Sequence, residues 1–427
     1  MKTKQIISNE HVYFGKIPND WEWKTVEEIK KDGKSLVSGP FGSNIGKRFF
    51  RPTGTPVIRG NNLKEGKFVD SGFVFVDDEK TDELKNCISL ENDIIFTAAG
   101  TIGQVGIIPK NSKYQKYIIS NKQLRLRLNT EEVNPLFAFY WFSSKKMQNY
   151  LINSNVGSAL PLLTLRELRN TPIPIPSISE QDKIAKILND FYEKIKSLQN
   201  QNKVLEQIAQ TIFKSWFVDF DGVTEFEDSE LGQIPKGWKV NNINEFGKIV
   251  TGRTPPTKIT EYFGTKYPFI TIPDMYQNIW IVESERYLSE IGKNKFSKIL
   301  LPKNSVSVSC IATVGLISIN QKPSFTNQQI NSIICDKIPF SYVFCVMKNL
   351  KNKIIQLAAG GTATPNLNKR LFGEIQVIIP PIDIINNFHT NTEKLFCKIQ
   401  QNNIHMRNLI SIRDILLPKL MSGEIRV

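Results

Sequence analysis

The chain has 427 residues, 40% of them hydrophobic and 22% charged, the make-up of a globular protein with roughly two to four domains. Its net charge of +14 and pI near 9.3 point to a polyanionic partner, either nucleic acid or an anionic membrane surface. The MKTKQIISNE start lacks an apolar secretory region, no apolar run reaches the ~18 residues of a membrane span, and five cysteines form no CxxC pair while three histidines lie scattered. These features argue against a membrane protein, a secreted disulfide framework and a zinc site, and the expected location is the cytoplasm.

Residues 1–16 read as a polar leader. Residues 17–178 mix short β-rich runs with Gly, Asn and Pro turns: FVFVD, DIIFTA and QLRLRL. QLRLRL alternates apolar and basic residues, which predicts a half-buried strand with Arg125 and Arg127 on one face. PLFAFYWFSSKKMQNYL, from Pro135, is apolar on most sides and predicts a core helix. The Pro-rich TPIPIPSIS then interrupts regular structure, and Ser179 with Glu180 opens a long helix over 179–217.

That helix carries apolar residues at steps alternating four and three: Ile184, Leu188, Phe191, Ile195, Leu198, Asn202, Leu205, Ala209, Ile212 and Trp216. This is a heptad seam, and at ~1.5 Å per residue the helix is roughly 50–55 Å long. A lone Asn202 within the seam is the kind of residue that sets register and partner choice. Residues 218–233 are acidic and turn-rich and read as a linker. Residues 234–383 form a second globular module with strand-like YPFITIP, NSVSVSCIATVG and EIQVIIP. A second helix over 384–427 repeats the seam through Phe388, Thr392, Leu395, Ile399, Asn402, Met406, Leu409, Arg413, Leu416 and Leu420, with Pro418 expected to end or kink it.

The order of elements repeats because the sequence repeats. IPNDWEWKTVEEI at Ile17 returns as IPKGWKVNNINEF at Ile234, and GTIGQVGII at Gly100 returns as ATVGLISI at Ala312. SNKQLRLRL returns as TNQQINSII, the Gly-rich turn before Pro161 returns before Pro365, and PIPSISEQDKIAKIL returns as IIPPIDIINNF. Two like modules, each ending in a long helix, predict approximate twofold symmetry and two related surfaces at a fixed separation.

Catalytic motifs do not assemble. GPFGSNIGKRF has three residues, not four, between Gly42 and Gly46, and Arg48 stands where a phosphate loop needs Ser or Thr. Gly100, Gly103 and Gly106 miss the dinucleotide spacing, and NPLF at Asn134 lacks the second proline of a base-holding tetrapeptide. Pro273-Asp274 is followed by Glu283, Glu285 and Glu290, none of which begins an ExK nuclease motif. A non-enzyme is the simplest reading.

Groups suited to DNA do assemble. Lys47, Arg48, Arg51 and Arg59 lie close together, interleaved with Phe41, Phe49, Phe50, Asn61 and Asn62. Lys and Arg meet phosphates, Arg pairs with guanine, and Asn with adenine. The second module offers Arg253, Lys258 and Lys266 for charge and Thr254, Asp274 and Gln277 for base edges. Thr101, Gln104 and Thr313, with Asn121, Gln123, Asn327 and Gln328, sit in repeated turns where DNA contact and a purely structural role are both open. The heptad positions are packing elements. A second class of function also stands: a non-catalytic coiled-coil adaptor whose positive charge is incidental.

Taken together, the opening motifs, the Pro-rich exits PIPSISEQDKIAKIL and PPIDIINNF, the long helices and the closing LLPKLMSGEI resemble the specificity subunit of type I restriction–modification systems. The second exit lacks the Glu180-Gln181 pair of the first. The resemblance implies an α+β chain: two similar target-recognition domains joined by two long antiparallel coiled-coil helices with pseudo-twofold symmetry. It implies that each module reads half of a bipartite site in double-stranded DNA while the helices set the spacer. It further implies two methyltransferase subunits and restriction subunits as partners, which bind S-adenosylmethionine, ATP and magnesium, with no cofactor or metal in this chain.

Overall fold

The computed structural model describes residues 6–7, 9–64, 67–153, 162–276, 279–360 and 364–427. The chain divides into two units of mixed α and β structure: Met1–Lys194 with Leu409–Val427, and Ile195–Asn408. Both boundaries fall inside 40-residue helices, the central helix Ile178–Phe217 and the distal helix Ile382–Met421. Among the described residues no helix is long and apolar enough to cross a membrane.

The first unit opens on three short antiparallel strands, Ile6–Ile7, Glu10–His11 and Gly15–Lys16. Residues 6–7 and 9–16 of the expected leader are therefore structured. Phe14 is buried, 4.9 Å from Trp141 and 5.9 Å from Trp23 between ring centroids. Buried His11, 5.4 Å from Trp23, and Tyr13, 5.3 Å from Tyr150, join Phe14 in anchoring it.

One sheet of this unit orders Val105–Ile107, Ile94–Thr97, Gln123–Leu126 and Leu36–Ser38, all antiparallel. A second orders Ile88–Ser89, Tyr117–Ile119, Thr55–Ile58 and Val74–Val76, with the middle pair parallel. The β-branched and aromatic content of these runs suits strands buried on both faces. Gln123–Leu126 is buried along its whole length, not half-buried as its alternation predicts, because helix Pro135–Ser143 packs on its Leu124 and Leu126 face and the second sheet lies against the Arg125 face. The aromatic run folds as two helices, Pro135–Ser143 and Lys145–Asn153. Asn134 caps the first by accepting from the Leu136 and Phe137 amides at 2.8 and 3.1 Å, and Pro135 takes a position whose N–H needs no partner.

The second unit follows the same order. Residues 218–233, read as a linker, include the strand Phe226–Ser229, which pairs with Gly232–Pro235 as a hairpin. A five-stranded sheet orders Lys248–Thr251, Ile330–Ile334, Val306–Ser309, Ile317–Asn320 and Trp280–Ile281. A three-stranded sheet orders Arg286–Leu288, Phe263–Ile270 and Phe325–Thr326, the last two parallel. Helices Phe340–Asn349 and Lys351–Ala359 pack their buried faces on the five-stranded sheet, against Val306, Val308, Ile317 and Ile319.

The long helices are held by both polar and apolar contacts. Within the second unit they run in opposite directions: Asn202 donates to Asn403 Oδ1 at 2.7 Å and accepts from Asn402 Nδ2 at 2.9 Å. Further along, Phe213 and Trp216 lie 6.0 and 6.1 Å from Phe388. Asn403 also donates to the Trp280 carbonyl at 3.2 Å, and Trp280 Nε1 donates to the Phe396 carbonyl at 3.1 Å, tying the distal helix to a sheet strand. Leu188, Ile195, Leu198 and Ile399 are buried; Phe191, Leu205, Ile212, Leu395, Met406, Leu409 and Leu416 are half-buried. The distal helix does not stop at Pro418 but runs on to Met421. A proline this near the end disturbs few helical bonds, and burial of Leu420 and Met421 holds the last turn.

Candidate nucleic-acid interface

In each unit one end of the main sheet forms a rim of three linked turns. In the first unit, Gly39 donates its amide to Gln123 at 2.8 Å, Ala98 to Lys122 at 2.8 Å, Leu163 to Ala98 at 2.9 Å and Ser120 to Ile58 at 3.0 Å. The second unit repeats this set: Gly252 to Ile330 at 3.1 Å, Cys310 to Gln329 at 2.8 Å, Leu367 to Cys310 at 2.8 Å and Asn327 to Ile270 at 3.1 Å. A Cβ at Gly39 would stand 1.8 Å from the Ser120 oxygen, and one at Gly252 2.3 Å from the Thr326 and Asn327 oxygens. Only glycine allows the two backbones to close so tightly there.

The exposed residues on these matched rims differ. The first rim presents Asn121, Lys122, Thr101 and Asn61, with Gln104 half-buried. Beside them stands Phe41, 85% exposed in the Gly39–Asn44 loop, whose carbonyl accepts from the Asn44 amide at 2.8 Å. The second rim presents Arg253 and Gln328, with Thr254 and Thr313 half-buried; Thr254 donates to Gln328 at 2.6 Å. Lys258 is exposed on the same loop as Arg253, and Tyr276 is 49% exposed after the turn that follows Thr271. Phe41 belongs to the basic tract singled out in the sequence, whereas Lys122 and Tyr276 carry no sequence signal of their own, although Lys122 stands next to Asn121. Gln277 lies outside the described residues, as do parts of the Gly-rich turns at 154–161 and 361–363.

Several polar candidates are engaged inside the protein. Asn62 is fully buried, accepts from the Arg59 amide at 3.0 Å and donates to the Val69 and Ser71 carbonyls at 3.1 and 2.9 Å. Asp274 occupies the matching place in the second unit, accepting from the Thr271 amide at 2.7 Å, its hydroxyl at 2.8 Å and the Glu285 amide at 2.9 Å. Both close a short turn after the parallel strand, so their role is structural. Gln123 is buried against the Ser120 hydroxyl, and buried Asn327 bonds both the amide and the side chain of Gln329 at 3.1 and 2.9 Å.

The basic tract is exposed but partly braced. Lys47 and Arg48 are exposed; Arg48 donates to the Ser43 carbonyl at 3.0 Å and lies 4.6 Å above the Phe49 ring. Arg51 pairs with Asp77 at 3.1 Å, and half-buried Arg59 donates to the Gly72 carbonyl at 3.3 Å. Arg125 and Arg127 sit at the opposite end of the sheet strand from the rim. Burial pushes the Arg125 pKa down, while hydrogen bonds donated to the Asp93 carboxylate raise that of Arg127.

Comparison with known proteins gives a consistent result. The family described as "Type I restriction modification DNA specificity domain" matches residues 18–207 and again 235–404. The type I restriction enzyme HindI specificity subunit of Haemophilus influenzae is 32% identical over 467 residues, covering 92% of this chain and all of that one. The MjaIX specificity subunit of Methanocaldococcus jannaschii is 29% identical, covering 97% and 95%. The crystal structure of the S subunit from M. genitalium shares the fold, with a TM-score of 0.58 over 95% of this chain and 96% of that one at 17% identity. The chain, with two matched domains on two like units, belongs to the type I restriction–modification specificity family.

Proposed function

We propose that this chain is the DNA-binding specificity subunit of a type I restriction–modification complex, each unit reading one half of a bipartite duplex target. The observation that carries this reading is the pair of rims: the same backbone hydrogen bonds in both units, with different exposed side chains. One fold bearing two unlike reading edges is what two unlike half-sites require. Lys47, Arg48, Lys122, Arg253 and Lys258 supply phosphate contacts; Asn121, Thr101 and Gln104 in one unit, and Gln328, Thr254 and Thr313 in the other, address base edges. Phe41 stacks on or wedges against a base.

The domain limits are those of the sequence: recognition domains at 17–178 and 234–383, joined by spacer helices over 179–217 and 384–427. These pair as an antiparallel coiled coil with pseudo-twofold symmetry, and the Asn202–Asn402–Asn403 set fixes their register. The chain is a non-catalytic, cytoplasmic scaffold. Two methyltransferase subunits dock on it, Ile412 and Ile415 offering exposed apolar side chains on one helix face suited to such contact, and restriction subunits join through the complex. S-adenosylmethionine, ATP and magnesium belong to those partners.

Selection of bound sites from random duplexes, with methyltransferase subunits present, tests the reading. A split consensus with a constant gap is expected. Recovery of no consensus, with binding that vanishes at moderate salt, would overturn it, because counterion release alone carries no sequence preference.

A further inference from the structure

The first unit holds a basic cleft of about 360 Å³ at the end of the main sheet away from the rim. Its wall includes Lys31, Lys34, Lys85, Arg125 and Arg127, against a single acid, Asp32. Arg127 is neutralised by Asp93, which accepts from Nε at 2.8 Å and from a terminal nitrogen at 2.7 Å. The second Asp93 oxygen also accepts from the Leu90 amide at 2.8 Å.

Arg125 feels the Asp93 charge but makes no hydrogen bond to a carboxylate among the described residues. It is 2% exposed and donates to two neutral carbonyls, Ile88 and Lys34. Its Nε has no hydrogen-bond partner among the described residues. A buried guanidinium that shares its one nearby carboxylate with a second arginine is costly, since carbonyl dipoles do not cancel its charge.

The fold does not demand an arginine there. In strand register Arg125 faces Val37 and Ile95; Ser332 holds the same place in the second unit, facing Val250 and Ser307. Ser307 and Ser332 satisfy each other at 2.9 Å. An interior hydroxyl pair suffices in one unit, and a buried cation beside three lysines replaces it in the other.

We infer that this cleft binds a phosphate group, with Arg125 as the buried anchor and Lys31, Lys34 and Lys85 as the outer clamp. Guanidinium and ammonium groups lining one opening suit a tetrahedral oxyanion. The phosphate is that of a free phosphate-bearing molecule or of a nucleic-acid backbone, and the two sources separate by experiment.

The test titrates inorganic phosphate into the full chain by calorimetry, at ionic strength matched with chloride. Saturable binding is expected. Lys31→Gln with Lys85→Gln, both exposed and outside the Arg125 carbonyl bonds, should weaken it about tenfold without moving the unliganded unfolding temperature. Arg125→Lys should weaken it as well. Repetition with a selected duplex bound assigns the source: mutual exclusion marks a backbone phosphate, and independent binding a free molecule. The inference is overturned by phosphate heats no larger than chloride heats, or by a lysine double variant that binds phosphate like the parent. Neither result touches the specificity role, which stands on sequence selection.

Discussion

The two units root their long helices in opposite ways. In the first, Glu180 accepts from Trp21 Nε1 at 3.2 Å and from Arg426 Nε at 2.7 Å, while Arg426 also grips Asp20 at 2.9 and 2.6 Å. Gln181, fully buried, donates to the Glu132 and Pro176 carbonyls at 3.0 Å each and accepts from the Asn134 amide at 2.9 Å. The corresponding places in the second unit are Ile384 and Ile385, the latter fully buried in the cluster containing Trp238, Tyr342 and Phe388. One junction is a hydrogen-bonded clasp and the other a hydrophobic plug, on the same topology. The comparison teaches that the fold needs the junction sealed and is indifferent to which force seals it, provided no buried polar group is left unpaired.

The largest effect should come from opening the plug. Ile385→Ala leaves a cavity that little can fill, and denaturant unfolding of the full chain should show a loss of about 3 kcal/mol. Gln181→Leu strands an amide and two carbonyls in the clasp, for about 2 kcal/mol by the same measurement. If both changes proved harmless, the sealed-junction view would fail.

The comparison of rims gives a separable pair of effects. Phe41→Ala with Asn121→Ala should lower affinity for one half-site about tenfold and leave the other half's base preferences intact, as read by competition with singly altered duplexes. Gln328→Ala with Arg253→Ala should do the converse. Equal losses at both half-sites from either pair would dissolve the distinction between the rims.

The smallest effect concerns acid. Arg426 holds the Asp20 carboxyl below its ordinary value of 3.8. A carboxyl depressed in the folded state contributes stability above its unfolded pKa and loses it as pH falls through the folded pKa. Asp20→Asn should therefore remove a small acid sensitivity below pH ~4, visible as a flatter unfolding midpoint against pH. The apolar root of the second unit has no counterpart to this.

Local pattern was enough for much of the architecture. The duplication, the heptad positions of both helices and the strands at FVFVD, DIIFTA and YPFITIP depend on spacing and side-chain shape within short windows, where neighbours in sequence are neighbours in space. Asn121 and Gln328 are exposed on the rims, whereas Asn62, Asp274, Gln123 and Asn327, of the same chemical types, face inward. Nothing in their own windows separates the two groups. The difference is made by which strand end or turn closes over each, as with the structured leader around Phe14 and the buried Arg125.

What the amino-acid order determined alone, then, is two like modules, each leading into an amphipathic helix, with an excess of positive charge. Only the tertiary structure decided which polar side chains face water, because a side chain's exposure is set by residues distant in the chain. It also decided how each helix is rooted, since Gln181 needs Glu132, Pro176 and Asn134 brought to it, and Ile385 needs an apolar cluster assembled around it.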